Sequence, residues 1–394
     1  MRALPAAAAL LPRLGDAAGV HLVGGAVRDL LLGGAPPDLD LVVEGDAAAL
    51  AARLGGRLRI HDRFGTSTVT LGDFSYDIAR ARSERYARPG ALPDVSPATL
   101  AEDLLRRDFT VNAIAVALGP PQPGQLRAAP DALEDLQLRQ LRVLHDRSFI
   151  DDPTRLLRLA RYAGRLGFEI EPHTRALAAD GVRSGALATV SGARIGAELR
   201  LLAREPDPTA AFHVLTELGL AGAIDRRLQA PDEALARQAL ELLPPDGRAD
   251  LLLLALAARP IRPGELSALL DSLAFEAPDR DAIVASASRA EDVAAALRQA
   301  RRPSEIAAVL AGQGPELAAL AGALGPQAQA LEWLSGLRRV RLEISGDDLL
   351  AAGIPQGPAI GRGLKAALAA KLDGRASGRE AELEHAVRAA QANG

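Results

Sequence analysis

Strand-forming patterns end near Asp151, and that boundary limits the possible folds more than any other feature of the chain. From about residue 20 to 145, short β-like runs alternate with helical stretches: HLVGG, LDLVVEG, STVTLG, YDIARA and VNAIAVAL. Beyond Asp151, Leu/Ala-rich helical periods punctuated by Gly and Pro continue to the end. The front is therefore expected to be α/β and the remainder an all-helical array. Composition agrees, because 48% of residues are hydrophobic but only 3% are aromatic, so the cores must be built from Leu, Ala, Val and Ile. At 394 residues the chain is too long for one ordinary core. The breaks at EPDP, LPPDG, RPIRPG and RRP are too short to be flexible tethers, so the modules follow one another closely.

The absence of cysteine removes disulfides, thiolate metal sites and cysteine nucleophiles, and a reducing cytoplasmic setting is the simplest reading. At the N-terminus, MRALPAAAALLPRLGDA is interrupted by Pro5, Pro12 and Arg13 and is too short to span a membrane, so it is read as a first helix of the fold. The net charge of −4 argues against a non-specific nucleic-acid coat but allows a local basic face.

The chemistry concentrates in three blocks. In the first, HLVGGAVRDLLLGGAPPDLDLVVEGD, Asp38 and Asp40 stand at i and i+2 on a predicted strand, so both carboxylates share one face. Just upstream, Gly24, Gly25 and Arg28 offer backbone N–H groups and a guanidinium to phosphate oxygens. A third carboxylate, Asp77 in SYDIAR, lies on another short strand, and convergent carboxylates suit hard divalent cations. Metal beside phosphate points to phosphoryl or nucleotidyl transfer. An isolated D-x-D is more often a turn and a surface residue, and it is the company of the other blocks that reverses the odds.

In the second block, EDLLRRDFTVNAIAV, Arg107 reads equally as part of a solvated charged turn that caps a helix, with Asp108 as its N-cap, or as a clamp on a triphosphate. In the third, SFIDDPTRLLRLARYAGRLGFEIEPHT, Pro153 fits the first helical position and Asp152 the N-cap. Three-residue steps keep Asp152, Arg155 and Arg158 on one helix surface. A carboxylate beside a guanidinium can read a base edge, the former accepting from the exocyclic amine of cytosine or adenine. The dipeptides His61-Asp62 and His145-Asp146 lack further partners and are assigned no metal.

In that order and spacing, GGAVRD, DLD, RRDFTVNAIAV and DDPTRLLRLARYAGRLGF resemble the bacterial-type (class II) tRNA nucleotidyltransferases, a family of CCA-adding, A-adding and CC-adding enzymes and bacterial poly(A) polymerases. The match covers roughly residues 20–230. The resemblance implies an α/β polymerase-beta-type nucleotidyltransferase head over 1–145, a helical neck over 146–205 for base selection, a helical body over 206–335 and a helical tail over 336–394 that binds tRNA. It implies Mg²⁺ at Asp38 and Asp40, with Asp77 as the third catalytic carboxylate. Gly25, Arg28 and Arg107 would contact the triphosphate and sugar, and Asp152 and Arg155 would select the base with support from Arg158 and Arg161. Arg161 points away from Asp152 on an ideal helix.

Two departures from the family pattern are conservative: Asp151-Asp152 replaces its usual Glu-Asp pair, and Asp77 stands where Glu is frequent. The segment Ala79 to Val95, ARARSERYARPGALPDV, falls in the family's flexible-loop region, and its wording resembles the A-adding and poly(A) branch. SGARIGAELRLLA resembles the neck motif and LEISGDDLLAAGIPQGPAIGRGLKAALAAKLDG the tail, where Asp347 and Asp348 can cap a helix. Arg338, Arg339, Arg341, Arg362 and Lys365 are the candidates for the tRNA backbone, with a solvated face equally open. The expected activity is addition of C and/or A to the tRNA 3′ end from CTP and ATP, without a membrane partner. The alternatives are an A-adding enzyme, a poly(A) polymerase on general RNA ends, and a silent tRNA-binding protein. The C-terminus, REAELEHAVRAAQANG, is not the basic tail expected of the poly(A) polymerase, and the three aspartates argue against silence.

Overall fold

Alternation decides the front of the molecule. In the computed structural model of the chain, which describes residues 4–36, 38–61 and 66–392, β1 (Val20–Val23), β2 (Leu39–Val43), β3 (Arg57–His61), β4 (Thr66–Leu71) and β5 (Phe74–Arg80) are built from predominantly apolar or alternating runs. A two-stranded ribbon follows, β6 (Arg82–Arg85) with β7 (Asp94–Pro97), and then β8 (Ile114–Ala117) and β9 (Leu126–Ala128). Seven of these form one sheet in the order β3-β4-β5-β2-β1-β8-β9. Within it β2 and β5 run parallel and the other neighbours antiparallel.

One face of the sheet is apolar and covered. Tyr76, Ile78, Ser67 and Val69 are buried there, α3 (Ala47–Leu54) packs on β4 and β5, and the Tyr76 hydroxyl donates to the Ala6 carbonyl of α1 (Pro5–Leu14) at 2.7 Å. The N-terminal run is thus a helix of this layer, started by Pro5, whose missing N–H costs nothing in the first turn. Helix α2 (Gly25–Leu31) leaves the end of β1.

After β5 and its ribbon come α4 (Leu100–Leu105), α5 (Ala132–Leu138), and a short parallel pair, β10 (Gln140–Leu141) with β11 (Glu169–Ile170). Helices α6 (Ser148–Asp151), α7 (Thr154–Leu166), α8 (Pro172–Arg183) and α9 (Gly192–Leu202) continue the chain. The chain divides into two compact units, Met1–Glu198 with Val214–Ile224, and Leu199–His213 with Asp225–Gly394.

The second unit is helical throughout its described residues. Its helix Ala249–Ala258 is buried on every side, as ADLLLLALAA demands. Near the C-terminus, Ile344, Leu349, Ile354, Ala367, Ala386 and Ala390 form a small core. Glu382 is fully buried there and is satisfied by Lys371 Nζ at 2.6 Å and the Glu343 N–H at 2.7 Å.

The five expected strands are present, and six more, β3, β6, β7, β9, β10 and β11, were not anticipated. Strand β3, RLRIH, sits at the sheet edge and alternates charged residues with exposed Leu58 and Ile60. Strand β9 lies within the turn-rich PPQPGQLRAAP. The segment expected to be a flexible loop is the β6–β7 ribbon, with Arg82 opposite Pro97 and Arg85 opposite Asp94. In the tail, Ser345 and not an aspartate is the N-cap of helix Gly346–Ala351. Asp348 closes the capping box behind it.

Candidate active site

The sheet register brings the carboxylates together. Parallel pairing sets Asp40 opposite Asp77 on β2 and β5, and Asp77 opposite Thr68 on β4, whose hydroxyl donates to Asp77 Oδ1 at 2.6 Å. Asp38 is exposed just ahead of β2. Burial, then the Asp77 and Asp38 charges, raise the Asp40 carboxyl above the usual range, and only Arg107 opposes them. Concentrated negative charge of this kind is what a divalent cation relieves. Among the described residues no three His, Asp or Glu side chains already close on one point. Mg²⁺ does not require such a cage, because it uses one or two carboxylates together with substrate phosphates and water. The donors fit the ion.

Gly24 opens the phosphate side. Its φ of +70° is barred to most side chains, and a Cβ there would lie 2.9 Å from Arg107 Nη1. Arg107 is held from α4 by Asp103, which accepts from its Nη2 at 2.9 Å and from Arg106 Nη2 at 2.7 Å. Burial works against the Asp103 charge, yet Arg107 and Arg106 keep the carboxyl below its ordinary range. The Arg107 Nε is buried without a partner among the described residues. Gly24→Ala is expected to cost about 1–3 kcal/mol of stability and to raise KM for the nucleotide by displacing Arg107. Thermal melts and nucleotide titrations check both.

Arg28 departs from expectation. It is 1% exposed, its Nη1 donates to Asn112 Oδ1 at 2.5 Å and its Nε to Asp29 Oδ1 at 2.8 Å. It does not line the pocket but lies beneath the turn, where a Cβ on Gly25 would come 3.3 Å from Arg28 Nη2. Its hydrogen bonds brace the Gly24-Gly25 turn from beneath.

A cavity of about 400 Å³ is lined by Asp40, by Gly24, Gly25 and Arg107, and by Asp152, Arg155 and Arg158 from the start of α7. Asp152 lies just before α7, with Pro153 between it and the first helical residue, Thr154, one position later than expected. Its Oδ1 accepts from the Thr154 N–H at 3.1 Å and hydroxyl at 2.6 Å and from Arg194 Nη2 at 2.7 Å. Its Oδ2 has no protein donor among the described residues. Arg155 is 5% exposed and already donates to Ser148 Oγ and the Arg106 carbonyl. The two are brought together, but Asp152 keeps the open hydrogen-bonding position.

Arg158 reaches Asp108 Oδ2 at 2.5 Å. Asp108 is therefore not a helix cap. It is a buried anion that also accepts from Asn112 Nδ2 at 3.0 Å. Although burial disfavours its charge, Arg158 and Asn112 hold the carboxyl well below the usual range. Arg161 does not line the cavity, consistent with its direction on α7. It pairs with Glu198 at 3.3 Å and stacks 4.8 Å from the Tyr162 ring centroid. The same ring has Arg28 and Arg158 at 5.5 Å, tying the glycine turn to the neck through cation–π contacts.

Several site residues escaped sequence reading. Glu84 and Tyr86 of the ribbon line the cavity. Glu84 accepts from Arg106 Nη1 at 2.8 Å, Arg82 Nη2 at 3.1 Å and the Tyr86 hydroxyl at 3.0 Å. Burial and then the Glu84 charge push the Tyr86 phenol up, so it stays a neutral donor. The ribbon turn is fastened to the neck, since Gly90 donates to the Asp151 carbonyl at 3.3 Å and its own carbonyl accepts from Arg194 at 3.1 Å. Asp103 carried a signal that could have been read, since it stands at i−3 and i−4 to Arg106 and Arg107.

Of the tail cations, Arg339, Arg341, Arg362 and Lys365 are exposed, whereas Arg338 is committed to Asp246 at 2.5 Å. Asp146 pairs with His173 at 2.8 Å, and Asp62 lies outside the described residues. No helix among the described residues is long and apolar enough to cross a membrane.

Residues 20–142 match the poly A polymerase head domain. An A-adding tRNA nucleotidyltransferase of Geobacter sulfurreducens is 36% identical across 94% of the chain, which spans 45% of that protein's length. A CC-adding tRNA nucleotidyltransferase of Deinococcus radiodurans is 36% identical across 89% of the chain and 84% of its own length. The solved complex of a CCA-adding enzyme with CTP superposes with a TM-score of 0.78 at 28% identity, covering 99% of this chain and 97% of that one.

Proposed function

Since the chain belongs to the family of bacterial-type tRNA nucleotidyltransferases and poly(A) polymerases, we propose that it adds C and/or A to the 3′ end of tRNA from CTP and ATP, releasing pyrophosphate. The observation that carries the reading is the Asp40–Asp77 pair on adjacent parallel strands, beside a cavity that joins the Gly24 turn and Arg107 to Asp152. The triphosphate lies along Gly25 and Arg107, and Asp152 accepts from the amine that cytosine and adenine share. The 3′ oxygen of the RNA forms a bond to the α-phosphorus while the bond to the β-phosphate bridge breaks. Pyrophosphate leaves with the electron pair, and the hydroxyl proton passes to water. Mg²⁺ held by Asp38 and Asp40, with Asp77 adjacent, would neutralise phosphate charge and favour ionisation of the hydroxyl.

The same proposal includes a cytoplasmic place of action, where tRNA and nucleoside triphosphates meet. It also includes the division into head, neck, body and tail, and a tail that meets the tRNA backbone through Arg339, Arg341, Arg362 and Lys365. Similarity to A-adding and CC-adding relatives makes the number of nucleotides the point to test. Transcripts of tRNA ending before C74, C75 or A76 are incubated with each nucleotide and the products sequenced. Growth of one to three residues limited to C and A is expected. Long A tails on unrelated RNA would favour a poly(A) polymerase, and absence of any extension would end the reading.

A further inference from the structure

The register of the sheet extends beyond the carboxylates. Asp40 faces Asp77, Asp77 faces Thr68, and Thr68 faces Arg59 on the edge strand β3, so four strands contribute one row on one face. The neighbouring positions repeat the pattern, with Ser75 opposite Thr70 and Thr70 opposite Arg57. Thr70 and Ser75 hydroxyls lie 3.3 Å apart. Helices α1 and α3 cover the opposite face. On this face Thr68 and Thr70 are half-buried, and Ser75, Arg57 and Arg59 are exposed.

We propose that this hydroxyl-lined strip, ending at Arg57 and Arg59, binds the ribose-phosphate backbone of the single-stranded RNA just upstream of the reacting 3′ end. The inference rests on the function proposed above and adds the path of the second substrate. Its basis is the order of groups across the sheet. The triphosphate turn follows β1, the carboxylates lie on β2 and β5, and the hydroxyls and arginines lie on β4 and β3. In an in-line displacement the attacking oxygen enters opposite the leaving pyrophosphate. With the leaving group on the β1 side, the attacker arrives from the β4 and β3 side. Two strand spacings of about 4.8 Å put the Arg59 backbone about 10 Å from that of Asp77, at the outer end of this path. Hydroxyls and guanidinium groups are what sugar and phosphate oxygens require, and they read no sequence.

The test compares wild type, the doubly substituted R57A/R59A protein and Arg59→Glu, using a tRNA transcript lacking its last nucleotide as the RNA. Both variants change exposed side chains at a sheet edge, and unchanged thermal melts verify folding. The expected result is a rise in KM for the RNA of about fivefold or more in the double variant, larger for Arg59→Glu, with KM for ATP or CTP unchanged. The slope of log affinity against log salt should fall by about 1.4, two phosphate contacts at about 0.7 each. Unchanged RNA KM and salt slope, in variants that still extend the RNA, would overturn the path while leaving the function intact. If the wild type itself fails to extend the transcript, the proposed function fails first.

Discussion

Replacing Asp40 with asparagine is expected to reduce nucleotide addition by on the order of 10³-fold or more, the scale at which removal of one fixed electrostatic element of a charged transition state is felt. Of Asp38, Asp40 and Asp77, it is Asp40 that lines the cavity, and it stands in register with Asp77. Asparagine preserves shape while removing the charge that would hold the cation, so the loss should fall on the chemical step. Binding of tRNA should stay within about twofold, since the phosphate contacts that dominate RNA affinity lie elsewhere. Stability should hold or rise. The Asp77 and Asp38 charges oppose that of the exposed Asp40, and a neutral amide relieves the repulsion. Single-turnover extension, RNA binding and thermal melts separate the three effects. Retained extension in this variant would remove the carboxylate mechanism.

Asp108→Ala is the second large effect, and it falls on folding. The substitution strands Arg158 and Asn112, which both bond to the Asp108 carboxylate. Breaking a fully buried pair from one side costs about 3–5 kcal/mol, and with Arg158 31% exposed and also facing Glu198 the denaturant melts should shift by the lower end of that range or less. Its pH dependence has a definite sign. The folded carboxyl is held far below its ordinary range, so its contribution is complete above the unfolded value near about 3.9 and declines as pH falls below it. The gap in stability between wild type and variant should therefore be constant from about pH 6 to 8 and narrow below about pH 4. A gap that instead widens on acidification would show that the pair is not the source.

The local patterns of the head were legible because strand and helix periods act within a few residues. Val20–Val23 and Leu39–Val43 declare themselves by apolar content, and Asp40 stands out against such neighbours. Strand β3 did not, since Arg57 and Arg59 look like solvated charge until the register shows what lies across from them. The ribbon was read as a loop because SER and DVSP carry little β-propensity, and what fixes them is remote: Arg106 on Glu84 from 22 positions away and Arg194 on the Gly90 carbonyl from 104. Asp108 was misread for the same reason, its partner Arg158 lying 50 residues on. Arg28 shows the converse limit of local reading. A guanidinium next to a glycine pair suggests a phosphate ligand, and nothing local announces that Asn112, 84 residues away, also anchors it from the interior.

The parallel pairing of β2 with β5 also bears on when this protein becomes competent. An antiparallel neighbour can close through a short turn, but a parallel one requires a crossover, and here α3, β3 and β4 are laid down before Phe74–Arg80 can reach Leu39–Val43. Asp40 and Asp77 meet only after that excursion is complete. A nascent head cut short before Phe74 would carry both glycines and the first aspartates yet lack Asp77 and the strand that holds it. A ligand that binds only the closed form would draw the late-folding segment into the native state.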